Sequence, residues 1–154
     1  MRTRAPLTIP LEDGPVAAWL DRGIAASVVV VASALALVLA AVDPDVRGHG
    51  THERLGLDVC GWPLTYGIPC PTCGCTTAAC HVVHGHLLRA FVVQPFGAAI
   101  AIVGILLGAH ALACLCRRRS FVDLLIRLPF WRVLGGALLL LLLAWWYKYL
   151  VFVP

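Results

Sequence analysis

Three long apolar segments constrain this chain more than any other feature of its sequence. They cover residues 24–42, 97–116 and 133–153. About 20 apolar residues in a helix cross the hydrocarbon core of a bilayer, where the backbone must satisfy its own hydrogen bonds. Charged residues make up only 13% of the chain, against about 25% in a typical soluble domain. We therefore predict an all-α integral membrane bundle with about three transmembrane helices and short interfacial helices, and the lipid bilayer is its first expected partner.

The first apolar segment follows a tail, residues 1–23, with a basic start. A basic start before an apolar run is also typical of a cleaved signal peptide. The run at 24–42 exceeds the roughly 7 to 15 residues of a signal core, which favours a membrane anchor. In the third segment, an aromatic cluster from Trp145 to Tyr147 predicts a membrane interface, and Lys148 is expected to extend from it to water.

Arginines beside the apolar segments predict the orientation. Arg22 and the tail arginines precede the first segment, and five more arginines lie in the basic segment 117–132, between the second and third. Two crossings put both groups on one side, which the positive-inside rule makes cytoplasmic. We expect a cytoplasmic N-terminus in the inner (plasma) membrane, with the segment after the first crossing outside. These arginines form no basic face interleaved with exposed aromatics, so nucleic acid is not an expected partner.

The stretch between the first two spans divides into two parts. From Asp43 to about Tyr66 the chain is rich in Gly, Pro and charged residues. This composition predicts a solvated outward loop over residues 43–69. Residues 70–94 contain the cysteine-rich motif and two short helical pieces hinged near Gly85, which we expect to lie along the membrane surface. In the cytoplasmic segment, Ser120 and Asp123 resemble a capping box that opens an interfacial helix.

The second span contains a close-packing motif. Gly104 and Gly108 form a G-x-x-x-G pair, which lets another helix approach closely. The partner helix would belong to another membrane protein, to a second copy of this chain, or to the first or third helix of the same chain. The spacing does not distinguish these three.

The cysteines mark the chemical centre of the sequence. Five of the seven fall between the first two spans. These disulfide candidates are Cys60, Cys70, Cys73, Cys75 and Cys80. In an oxidising compartment, a disulfide closing a loop of 10 to 15 residues would stabilise it by about 3 kcal/mol. Five outward cysteines leave one unpaired, and the connectivity cannot be deduced from sequence.

Two other chemistries could use the same residues. Cys70-Pro71-Thr72-Cys73 is a C-x-x-C that could exchange thiols, and at a helix start its attacking sulfur would have a lowered pKa. Cys70 and Cys73 with Cys80 and His84 could instead bind zinc, which accepts Cys and His in tetrahedral sets. No paired-carboxylate cleft, G-x-S-x-G or phosphate-binding glycine loop points to a hydrolase or nucleotide enzyme.

The run from Cys60 to Gly104 resembles a bacterial membrane family known as domain of unknown function 2752. The matching positions are Cys60, Gly67, Pro69, Cys70, Pro71, Cys73, Gly74, Thr76, Ala78, Gly85 and Pro95. Two positions depart from the family pattern: Thr77 stands where arginine is usual, and Gln94 where asparagine is usual. The resemblance implies a membrane protein but no reaction. We expect a structural or interaction component with an outward Cys-rich cap, and as an alternative a thiol oxidoreductase or a zinc protein.

Overall fold

The computed structural model describes residues 9–152, and these residues form helices and turns, with no strand beyond one isolated bridge. The eight α-helices follow a short 3-10 helix at Leu11–Asp13. They are α1 (Ala18–Ala40), α2 (Thr51–Arg54), α3 (Gly61–Tyr66), α4 (Cys75–Val83), α5 (Leu87–Val93), α6 (Pro95–Arg117), α7 (Val122–Arg127) and α8 (Phe130–Val151). The tail arginines Arg2 and Arg4, and residue 153 of the third predicted span, lie outside the described residues.

Three of these helices are long and apolar enough to cross a membrane. They are α1, α6 and α8, with mean hydropathies of 2.5, 2.4 and 1.6. Most of their large apolar side chains are exposed, as they must be where lipid replaces water. The predicted fold class, an all-α membrane bundle with three candidate spans and shorter helices, is therefore confirmed.

The first long helix starts earlier than the sequence predicted. α1 begins at Ala18, within the predicted tail, and Asp21 in its first turn is only 1% exposed. The Asp21 carboxylate accepts hydrogen bonds from Ser120 Oγ at 2.5 Å and from Phe121 N at 2.9 Å. A buried carboxylate is tolerated when it is hydrogen-bonded in this way. The hydrogen bonds of Asp21 therefore attach the first turn of α1 to the protein, although its composition predicted a tail.

Small residues let α1 and α6 pack closely. Ala25 of α1 and Ala111 of α6 belong to one buried cluster. A Cβ atom added at Gly108 would lie 2.8 Å from the Cβ of Ala32, inside normal contact distance. Gly108 therefore allows the close contact between α6 and α1 of the same chain. Gly104 has no atom within 4 Å of an added Cβ and lines an apolar groove beside α1.

The segment between α1 and α6, residues 43–94, is named the cap here. It contains α2 to α5, so two short helices, α2 and α3, lie within the predicted outward loop, and most residues of that stretch are not buried. Thr51 is fully buried, accepts a hydrogen bond from Asp45 N at 2.9 Å, and donates one to Thr77 Oγ1 at 2.8 Å. These bonds attach the loop to α4, which composition alone does not reveal because the partner is distant in sequence.

The rest of the cap follows the predicted pattern more closely. α4 and α5 are separated at Gly85, whose φ of +78° is the left-handed conformation that glycine tolerates best. Ala78 and Ala90 from these two helices pack with Ala98 of α6 in a second buried cluster. The hinge is thus where the sequence predicted it, and α6 supports both short helices.

Candidate functional site

The C-x-x-C motif forms a tight turn ahead of α4. Cys73 N donates to the carbonyl oxygen of Cys70 at 3.0 Å, and the helix begins at Cys75. Gly74 precedes it with a φ of +85°, and a Cβ atom there would lie 2.6 Å from the carbonyl oxygen of Gly48. Only glycine fits this approach. The expected position of the motif at the start of a helix is therefore corrected to the turn before it.

Side chains from α8 and from the start of α6 hold this turn. Trp145 Nε1 donates to the carbonyl oxygen of Pro69 at 2.9 Å, and Gln94 Nε2 donates to that of Pro71 at 3.4 Å. Gln94 is fully buried, and its Oε1 accepts from Phe96 N at 3.3 Å. Gln94 thus joins the cysteine turn to the first turn of α6.

Lys148 also binds the cap, and the prediction that it extends to water is wrong. It is 5% exposed, and its Nζ donates to the carbonyl oxygens of Gly48 at 3.1 Å and Val93 at 3.5 Å. Two aromatic residues directly before Lys148 differ. Trp146 is 64% exposed, whereas the Tyr147 hydroxyl donates to the carbonyl oxygen of Val92 at 2.7 Å. Part of the predicted aromatic belt therefore bonds to the cap.

Three cysteine side chains line one cavity of about 450 Å³ between the turn, α2 and α3. Cys60 and Cys70 are partly exposed, whereas Cys73 is only 7% exposed. The other ionisable side chains that line the cavity are Arg47, His49, His52 and Glu53. The cavity therefore presents two partly exposed thiols and one buried thiol on a common surface.

Burial controls the ionisation of these thiols. All seven cysteines are free. Burial, followed by the charge of the neighbouring Cys70, raises the pKa of Cys73 to about 11, and burial likewise raises that of Cys75 to about 11. Burial is also the main cause that raises the pKa of Cys60, with a smaller contribution from Cys70. Lys148 acts in the opposite direction and lowers the pKa of Cys73 and of Cys75, by less than burial raises them.

The other predicted site residues lie elsewhere. Cys75 lines the apolar groove between α1 and α6. Cys80 is fully buried, and its Sγ donates to the carbonyl oxygens of Val42 at 3.0 Å and Leu39 at 3.4 Å near the end of α1. Its other neighbour is His84, whose Nδ1 lies 3.7 Å from the sulfur.

The predicted zinc ligands are thus not brought together as one set. Within residues 9–152, no group of three or more His, Cys, Asp or Glu side chains is arranged to hold a metal ion. Cys70 and Cys73 belong to the cavity, whereas Cys80 and His84 form a separate pair on α4.

Sequence reasoning missed Lys148 as a site residue. An ionisable side chain in an apolar helix is costly unless it faces the protein interior, so its presence in the third span was a usable signal. Trp145 gave a weaker signal, because an indole at a membrane interface is common without any protein partner. His49 and His52 line the cavity from α2 and the residues before it, and nothing in their spacing predicted that.

One protein family matches the chain. The family model described as "Protein of unknown function (DUF2752)" matches residues 60–108, from the first cavity cysteine to the glycine that contacts α1. No curated protein and no solved structure matches the chain. The match leaves out Thr51, in the first part of the cap, and Lys148 of α8, which bonds to the cap. Over residues 60–108, the resemblance to the domain of unknown function 2752 is therefore confirmed.

Proposed function

We propose that this chain is a membrane protein that exchanges thiols and disulfides at the cap cavity. Cys70 is the attacking thiol, Cys73 resolves the mixed disulfide, and Cys60 is a third exchange partner. The observation that carries this proposal is the arrangement of the three thiols on one cavity, with Cys70 reachable and Cys73 buried behind it. Exchange needs one accessible thiol and a second thiol close by in the protein.

The exchange balances without a cofactor. The Cys70 thiolate attacks one sulfur of a substrate disulfide, and the other substrate sulfur leaves as a thiol after taking up a proton. Cys73, on losing its proton, then attacks Cys70 and releases the second substrate thiol. The substrate gains two electrons and two protons, and the protein retains a Cys70–Cys73 disulfide. The reverse sequence oxidises a substrate dithiol.

The orientation belongs to the same proposal. α1 and α6 run in opposite directions, because the start of α1 contacts the end of α6 and the residues that follow it. The cap joins their other ends, so Arg22 and the arginines around α7 lie at the end of the spans opposite the cap. The positive-inside rule then puts the cap outside the inner membrane. Disulfides persist on the outer side of the inner membrane, so protein disulfides are present there as substrates for exchange.

Thiol trapping tests the function. Membranes are treated with oxidant or reductant, quenched with acid and alkylated with a mass-shifting maleimide. We expect Cys70 and Cys73 to shift together between both states, and Cys70→Ser or Cys73→Ser to remove the shift. Cys116→Ser is the matched control, because Cys116 is exposed at the far end of α6. Cysteines fixed in one state under both treatments would refute the proposal.

A second function, an interaction component, is favoured by one surface. Three large residues of α3 are exposed: Trp62 by 41%, Leu64 by 76% and Tyr66 by 67% of the residue surface. Exposed apolar clusters of this kind contact a partner protein or the bilayer. A photo-crosslinking residue at Leu64, compared with one at exposed Asp58, tests this role. A specific protein adduct only at Leu64 supports it, and lipid adducts alone assign α3 to the membrane surface.

A further inference from the structure

Lys148 is a charged side chain of α8 that bonds to the cap. It lies outside the segment that matches the family and is nearly fully buried at 5% exposure. Its two hydrogen-bond acceptors are carbonyl oxygens, those of Gly48 and Val93. None of the ion pairs among the described residues includes it. A buried ammonium held by carbonyls alone is only partly compensated.

The ammonium lies against the cysteine turn. A Cβ atom added at Gly74, the residue after Cys73, would be 3.4 Å from Lys148 Nζ, and one added at Gly48 would be 3.6 Å away. Because Cys73 directly precedes Gly74 in the chain, the ammonium lies beside the backbone of the cysteine turn.

The contacts of Lys148 join three parts of the cap. Gly48 belongs to the loop before α2, Val93 ends α5, and Gly74 follows the cysteine turn. An ammonium has three donors, and two of them are used on carbonyls. The remaining charge can stabilise a developing thiolate, which is the form of cysteine that attacks or leaves in exchange.

We propose that Lys148 is the positioning residue of the dithiol, and that its charge stabilises the thiolate of Cys73 during exchange. This inference rests on the proposed function and adds the third membrane helix to its site. The counter-charge matters most for Cys73, because burial otherwise disfavours its ionised form.

Reagents of opposite charge test this without any redox cycling. In a variant whose sole cysteine is Cys73, modification rates are measured with an anionic and a cationic methanethiosulfonate of similar size. We expect Lys148→Gln, which keeps a hydrogen-bond donor but loses the charge, to lower the anionic-to-cationic rate ratio by about fivefold or more, the effect of one nearby unit charge. Lys148→Arg should keep most of the ratio. A purely structural lysine would change both rates alike and leave the ratio unchanged, which overturns the proposal.

A second comparison needs no substitution of Lys148. The same ratio is measured in proteins whose sole cysteine is Cys73 or Cys60, both retaining Lys148, and we expect a higher ratio at Cys73. An equal ratio, or no reaction at Cys73 while Cys60 is fully modified, contradicts the proposal even if Lys148→Gln fails to fold. Because single-cysteine proteins cannot cycle, failure here is separate from failure of the trapping experiment, which tests the exchange function.

Discussion

The indole nitrogen of Trp145 lies 2.9 Å from the carbonyl oxygen of Pro69, the residue immediately before the first cysteine of the C-x-x-C turn. This bond joins the third long helix to a turn that lies 76 residues earlier in the chain. Together with Lys148, which bonds to Gly48 and Val93, it attaches α8 to the cap. The family-matched segment is therefore completed by a helix outside it, and the cap is a tertiary structure rather than a local motif.

The Thr51–Thr77 hydrogen bond should stabilise the cap. Thr77→Val removes a fully buried hydroxyl that accepts from Thr51 Oγ1 at 2.8 Å. We expect a loss of about 1–2 kcal/mol of unfolding free energy, because a buried hydroxyl is left without its acceptor. Thermal unfolding in detergent measures this, with exposed Thr65→Val as the control. Equal effects of the two substitutions would show that the bond contributes nothing.

The two glycines of α6 should differ in their tolerance of a side chain. Gly108→Ala places a methyl group 2.8 Å from the Cβ of Ala32, so α1 and α6 must separate. We expect a loss of about 1–3 kcal/mol, typical of overpacking. Gly104→Ala meets no atom within 4 Å and should be neutral or slightly stabilising. The measurement is the denaturation midpoint of both variants in one detergent. The reverse order would mean that Gly104 carries the tighter contact, in a partner or a second copy.

Asp45 should make the cap sensitive to acid. The Arg47 guanidinium, which lies 2.9 Å away, lowers the pKa of Asp45 from 3.8 to about 2. Because the folded-state pKa is depressed, its stabilisation is complete above pH 4 and is lost as the pH falls toward about 2. Because the Arg47 side chain is half exposed, solvent screening limits this stabilisation to about 1 kcal/mol. Asp45→Asn should remove this part of the pH dependence, measured as the unfolding midpoint between pH 6 and about 2.

The matched control for that titration is Asp58→Asn. Asp58 is exposed and takes part in none of the ion pairs among the described residues. Its replacement should leave the acid limb of the stability profile intact. An unchanged acid limb in Asp45→Asn would contradict the assignment of the limb to the Asp45–Arg47 pair.

The Asp21–Ser120 contact should hold α1 against the turn that leads into α7. Asp21→Asn replaces a carboxylate that accepts from Ser120 Oγ and from the backbone N–H of Phe121. We expect a loss of about 1–3 kcal/mol, the usual range for a buried charge-assisted hydrogen bond. Asp13→Asn, at an exposed site, is the control in the same unfolding experiment. Indistinguishable midpoints for the two variants would refute this role.

Some features of the structure were predictable from the sequence, and others were not. Hydrophobic length predicted the three long helices, Gly85 predicted the hinge, and the cysteine spacing directed attention to the turn at Cys70. Lys148 was assigned to water, because a lysine near a helix end usually extends there. Its actual acceptors, Gly48 and Val93, belong to segments that no periodicity connects with α8.

The sequence alone determined the elements whose cause is local. An apolar run of sufficient length must be helical in lipid, because the backbone can satisfy its hydrogen bonds in no other single-chain segment. A glycine at a hinge likewise reflects the conformation of one residue. Only the tertiary structure decided that Cys60, Cys70 and Cys73 line one cavity while Cys80 lies apart. The positions of these cysteines depend on which distant carbonyls and hydroxyls form hydrogen bonds with buried polar groups. Those hydrogen bonds form only in the folded chain, so composition and residue spacing do not predict them.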